Sequence, residues 1–167
     1  DMGRCGCIYN ELSMSALTPD FIQALGWSDA TRAQAFSLWL HGQKDPDLQP
    51  GTVRLASADA SFRRYFRVDT VQGDSLIVMD APPPQEDVRP FLQVASLFGD
   101  TGVTVPKVLA SDIEQGFLLL SDLGSTTYLK QLSIDTAHKL YIDAIDALIL
   151  LQTQSKPGQL PDYDRAL

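Results

Sequence analysis

The sequence predicts an α+β fold: a five-stranded antiparallel sheet with one inserted helix, preceded by two helices and followed by further helical segments. Three observations carry this. Between Thr52 and Ala81 apolar residues alternate with polar ones in short runs separated by turn residues, the period of half-buried strands. From about Asp87 to Asp100 the pattern is helical, bounded by Pro82-Pro83-Pro84 before it and Gly102 after it. Two further strand-like runs, Pro106 to Asp112 and Phe117 to Asp122, then face each other across Ile113-Glu114-Gln115-Gly116.

Asp1 to Ser13 reads as a tag or upstream extension, with Met14 a plausible natural start. Residues 14–51 form a helical N-terminal segment. Thr18 caps a short helix over about 19 to 25 with Pro19 at its first position and Gly26 at its stop. Ser28 can cap a second helix, in which Ala35, Leu38 and Trp39 make the apolar stripe and Gly42 the end. Asp45 to Gly51 is rich in turn residues and reads as a loop. The sheet is expected over residues 52–120, with strands at Thr52 to Ala56, Arg63 to Asp69 and Ser75 to Ala81 before the inserted helix. Alternation puts Phe62, Arg64, Phe66 and Val68 on one face of the second strand and Arg63, Tyr65, Arg67 and Asp69 on the other. After Gly124, Ser125 or Thr126 can cap a short helix and Ser133 a longer one reaching Thr153. The apolar face of that helix, through Leu140, Ala144, Leu148 and Leu151, calls for a partner, a further lobe or self-association through residues 134–153.

Composition narrows the function. A hydrophobic content of 44% and a charged content of 20% over 167 residues are those of an ordinary folded domain. The net charge of -8 argues against a nucleic-acid partner, whose backbone is held by clustered Lys and Arg. Arg63, Arg64 and Arg67 form the one dense basic patch. No run of about 18 apolar residues could span a membrane, and no secretory signal opens the chain, so a cytoplasmic address is expected. Cys5 and Cys7 are alternate residues with no neighbouring His or Cys, which suits neither a disulfide nor a zinc set. His41 and His138 have no serine, cysteine or carboxylate at a suggestive spacing and read as surface residues.

The stretch Ser57-Ala58-Asp59-Ala60-Ser61-Phe62-Arg63-Arg64-Tyr65-Phe66-Arg67-Val68 carries the most chemistry. Small and hydroxyl residues at a hairpin tip leave main-chain N–H groups open, and arginines follow at once, a combination that suits an anion. An ordinary polar turn is the alternative. With Ser75 to Pro82 and Phe117-Leu118-Leu119-Leu120-Ser121-Asp122-Leu123-Gly124, it resembles the aminoglycoside phosphotransferase-like kinases, and within them the anomeric kinases of N-acetylmuramate and N-acetylglucosamine.

That resemblance covers about residues 52 to 154. It implies a protein-kinase-like small lobe over 52–120, a hinge at 121–124 and the start of a large lobe, truncated, over 125–167. It further implies ATP with Mg²⁺, a sugar acceptor, and a catalytic base and metal ligands beyond Leu167, so that this chain alone is expected to be inactive. By the same analogy Ala58, Asp59, Ala60, Ser61 and Phe62 lie over the phosphates, with Arg63 favoured over Arg64 as the guanidinium that reaches them. Ser121, Asp122 and Leu123 would offer main chain to the base, Val78 and Leu120 would sandwich it, and Asp80 would orient an arginine or cap its strand. Thr126 and Thr127 border the entrance or cap a helix. One departure matters: kinases set a lysine on the third strand, paired with a helix Glu, and Ile77-Val78-Met79-Asp80 has none. Kinases of other small alcohols, aminoglycoside or choline-like, and a non-catalytic nucleotide-binding module remain alternatives.

Overall fold

The computed structural model describes residues 25–27, 29–44, 47–58 and 61–161. Cys5, Cys7, Met14, Ser28, Asp59 and Ala60, and all but Leu25 of the first expected helix, lie outside the described residues. Helix α1 spans Ala30–His41, followed by β1 (Leu48–Ala58), β2 (Arg64–Thr70) and β3 (Ser75–Asp80). Helix α2 (Arg89–Asp100) leads to β4 (Val108–Asp112) and β5 (Phe117–Ser121), and α3 (Tyr128–Gln131) and α4 (Ala137–Gln154) follow. The five strands form one antiparallel sheet in the order β1-β2-β3-β5-β4.

The expected α+β architecture is what forms, with three local differences. Strand β1 begins at Leu48, not Thr52, and takes in Pro50 and Gly51. It can do so because it is an edge strand with a register shift between Gln49 and Arg54, the setting in which a proline without an N–H is tolerated. Asp29 caps α1 by accepting from the Thr31 N–H at 2.8 Å. The buried stripe of α1 is Ala33, Phe36 and Leu40, while Leu38 is exposed. This helix carries apolar residues on most of its circumference, so periodicity alone could not choose its inner face.

Each face of the sheet is covered by a helix near the middle strands. On one side Phe66, Val68, Val78, Phe117 and Leu119 meet Phe36 and Leu40 of α1 and the preceding Trp27. Trp27 lies 4.7 Å from both Phe36 and Phe66, centroid to centroid, and Phe36 is 5.8 Å from Phe117. Stacked, tilted and edge-on pairs of this kind add roughly 0.5–1.5 kcal/mol each beyond area burial. On the other side Met79, Leu118 and Leu120 pack with Val88, Phe91 and Leu92 at the start of α2. Strand β5 is therefore covered on both faces, which accounts for its unbroken Phe117-Leu118-Leu119-Leu120 run. Gly102, with φ +92°, turns the chain out of α2 as expected. No residue of α4 is buried: Tyr141, Ile145 and Leu148 are all about half exposed or more.

Candidate functional site

Antiparallel register decides which side chains share a face. Ile77 pairs with Leu120, so both project to the α2 side of the sheet, together with Tyr65 and Arg67 of β2. Beyond them the chain leaves β5 and runs through Asp122 to Thr127 across the open end of this face. Sheet and linker enclose a cleft of about 510 Å³ lined by Tyr65, Ile77, Leu120 and Phe91 on one side and residues 121–127 on the other. It has an apolar floor and a rim of main chain, hydroxyls, Arg67 and Lys130, the usual make-up of a small-molecule site.

The linker is fixed by one carboxylate. Asp122 Oδ1 accepts from Arg67 Nη2 at 3.0 Å and from the Gly124 N–H at 2.8 Å; Oδ2 accepts from Ser75 Oγ at 2.7 Å and from Arg67 Nε. The Ser121 N–H is taken by the Lys107 carbonyl and the Ser121 hydroxyl by the Lys107 N–H. Arg67 therefore serves the linker and is not free for an anion. Its hydrogen bonds, aided by Ser75 and Gly124, hold the Asp122 carboxyl down at about 2 from the usual 3.8. A depressed carboxylate stabilises the fold above its unfolded value and loses that contribution as pH falls through the folded one. Asp122 is thus expected to supply on the order of 2 kcal/mol at neutral pH, lost between about pH 4 and pH 2. Denaturant midpoints measured across that window should fall more steeply for wild type than for Asp122→Asn.

At the other end of the face lies the hairpin tip. The expected run of open amides is partly closed: the Phe62 N–H donates to Glu86 Oε1 at 3.2 Å, and the Arg63 N–H donates to Ser61 Oγ at 3.2 Å. Arg63 Nε donates to Glu86 Oε2 at 2.8 Å. Phe62 stands outside β2 and is exposed.

Arg64 points the opposite way, as alternation requires. Its Nη2 donates to Asp80 Oδ2 at 2.8 Å and its Nη1 to the Gly26 carbonyl at 3.2 Å, and it lies 4.8 Å over the Trp27 ring. Asp80 is fully buried and also accepts from Trp27 Nε1 at 3.1 Å and from Arg32 Nε and Nη2 at 2.9 and 2.6 Å. Asp80 thus pairs with two arginines, Arg32 as well as Arg64.

The expected site residues thus divide. Leu120, Ser121, Asp122 and Leu123 line the cleft, and Thr126 and Thr127 line it too, Thr127 without a side-chain capping bond. Ser61, Phe62, Arg63 and Arg64 border a separate hollow of about 560 Å³ with Trp27 and Arg32, at the tip end of the sheet. Val78 does not meet the cleft: it is fully buried in the aromatic cluster on the α1 side, and its neighbour Ile77 takes the place beside Leu120. Ala58 ends β1, paired with Arg64. Sequence reading missed Arg32, Trp27 and Glu86. Only Glu86 had a visible signal, as an acid just ahead of the inserted helix. His41 makes a 2.7 Å contact to the Ser37 carbonyl at the end of α1, and His138 is exposed, consistent with surface roles.

A twisted antiparallel sheet with a helix against its inner face, a polar hairpin tip at one end and a braced linker at the other defines a kinase-like small lobe. Residues 52–167 match the phosphotransferase enzyme family, and the chain belongs to that family. It is 49% identical over 149 residues to an N-acetylmuramate/N-acetylglucosamine kinase of Pseudomonas aeruginosa, covering 84% of this chain and 44% of that protein. The kinase of the same name from Pseudomonas putida is 44% identical over 144 residues, covering 81% of this chain and 42% of the relative. That of Neisseria meningitidis is 49% identical over 117 residues, covering 68% and 34%. The chain spans less than half the length of these curated relatives.

Proposed function

We propose that the protein to which this lobe belongs transfers the γ-phosphoryl group of ATP to the anomeric hydroxyl of N-acetylmuramate or N-acetylglucosamine, in the cytoplasm and in the service of cell-wall recycling. The cleft between the sheet and residues 121–127 carries this reading, because it offers an apolar slot for a base beside linker main chain. Relatives at 44–49% identity bear the name of that activity. In this reading Ile77 and Leu120 hold the base, Leu123 and the Asp122 carbonyl face its edge, and the tip around Ala58 to Arg63 lies toward the phosphates. The exposed face of α4 receives the part of the relatives that this chain does not match.

ATP supplies the phosphoryl group, and Mg²⁺ would offset its charge. The lobe's own task is then to bind and orient the nucleotide. Asp80, Glu86 and Asp122 are each committed to arginines, and among the described residues no group of three or more His, Cys, Asp or Glu converges as a metal site. We therefore assign this lobe neither the base nor the metal ligands, and expect residues 1–167 alone to bind nucleotide without turnover.

The test is ADP release by the full-length protein offered N-acetylmuramate, N-acetylglucosamine, an aminoglycoside and choline in parallel. Turnover is expected with the two amino sugars. Turnover with the amines alone would replace the acceptor, and ATP binding with no turnover on any of them would favour a non-catalytic module, the reading suggested by apolar Ile77 and Met79 where a kinase carries lysine.

A further inference from the structure

Residues Ile77 and Met79, which face α2 from β3, are apolar, so the strand offers no cation to the cleft. Of the three arginines of β2 and its entry, Arg67 is consumed by Asp122 and Arg64 lies on the α1 side, bound to Asp80. Arg63 is left, just ahead of β2 at the tip end of the sheet, where it is paired with Glu86 and borders the hollow beside the cleft. Its bond to Glu86 uses Nε, so the Nη edge of the planar fork is not spent on that carboxylate. Arg63, one residue ahead of β2, lies four residues along the chain from Arg67, or about 13 Å at strand rise, which is the scale of an extended nucleotide reaching from the linker to the tip.

We infer that Arg63, oriented by Glu86, supplies the countercharge to the nucleotide phosphates that a lysine of the third strand supplies in other kinases, the ion pair having moved from β3 to the mouth of the β1–β2 hairpin. This rests on the nucleotide reading of the cleft. Glu86 is a positioning residue: its two oxygens hold the Arg63 guanidinium and the Phe62 N–H at once, fixing the tip and the cation as one unit. The side chains of Arg63 and Glu86 are 30% and 11% exposed, open enough on the arginine side to admit a ligand.

The experiment compares equilibrium binding of ATP with that of adenosine to the full-length protein and its Arg63→Ala, Arg63→Lys, Glu86→Ala and double Ala variants. A charge-assisted contact is worth roughly ten- to a hundredfold in affinity. Arg63→Ala is expected to weaken ATP by that factor and leave adenosine within about twofold, which also shows that the variant is folded. Arg63→Lys should recover part of the loss. Glu86→Ala should weaken ATP by a smaller factor, with little further effect in the double variant. Equal loss of adenosine and ATP, an unchanged ATP affinity in Arg63→Ala, or tighter ATP binding in Glu86→Ala would overturn the inference. Wild-type protein that binds neither adenosine nor ATP would instead overturn the nucleotide reading of the cleft.

Discussion

Asp80→Ala is expected to lower the unfolding free energy by about 3–5 kcal/mol, the cost of removing one partner from a buried ion pair. The carboxylate is fully buried and accepts from three side chains, Trp27, Arg32 and Arg64, that lie 53, 48 and 16 residues from it in sequence. Its loss leaves two guanidinium groups, 15% and 22% exposed, facing each other without a counterion, and an indole N–H without an acceptor. Asp80→Asn keeps a carbonyl acceptor but not the charge, and should fall between wild type and alanine. Denaturant unfolding of the full-length protein measures this, and a loss below about 1 kcal/mol for the alanine variant would show that the cluster relaxes into solvent. Because α1 is tied to the sheet through Arg32, proteolysis in the 42–47 connection should also accelerate in the variant.

Gly116→Ala should be of comparable size for a different reason. Gly116 has φ +72°, where an L side chain costs roughly 1–2 kcal/mol, and its own carbonyl accepts from the Ala81 N–H at 2.9 Å. An added Cβ would stand 1.9 Å from the Ala81 carbonyl oxygen and 3.3 Å from Pro83 Cδ. No rotamer relieves a clash with main chain, so the β4–β5 turn must move off the end of β3, adding on the order of 1–3 kcal/mol. The thermal midpoint should drop by several degrees or the protein should fail to accumulate. A midpoint within a degree of wild type would mean that the end of β3 yields freely.

The sheet was legible because its determinants are local. Alternation in Arg64 to Thr70, turn residues at Gly73 and Gly116, and the proline run after Asp80 each specify their element within a few residues. The sequence also placed Arg63 and Arg64 on opposite faces; Arg63 falls just ahead of β2, and the two guanidinium groups go to different carboxylates, Glu86 and Asp80. What failed to read was choice between equivalent faces. Val78 and Ile77 are both apolar because both sides of β3 are covered by helices, so composition could not tell which meets the cleft. In α1 the expected stripe was half right: Ala35 and Trp39 pack against the core, whereas Leu38 is exposed and Phe36 takes the inner place. The Asp80 cluster was invisible in its extent, since Arg32 and Trp27 lie 48 and 53 residues away and nothing local marks them as partners. Pro50 and Gly51 suggested a loop, and only the edge position of β1 explains why they extend a strand.

The clasp around Asp122 has a mechanical consequence. Because that side chain is latched to β2 through Arg67 and to β3 through Ser75, residues 121–123 ride with the sheet as a single rigid plate. Gly124, with φ +87° and open space where a Cβ would be, is the first position at which the chain can swivel. Motion of the segment after Gly124 relative to the sheet would then pivot there, leaving the cleft-lining residues 121–123 in register with the strands.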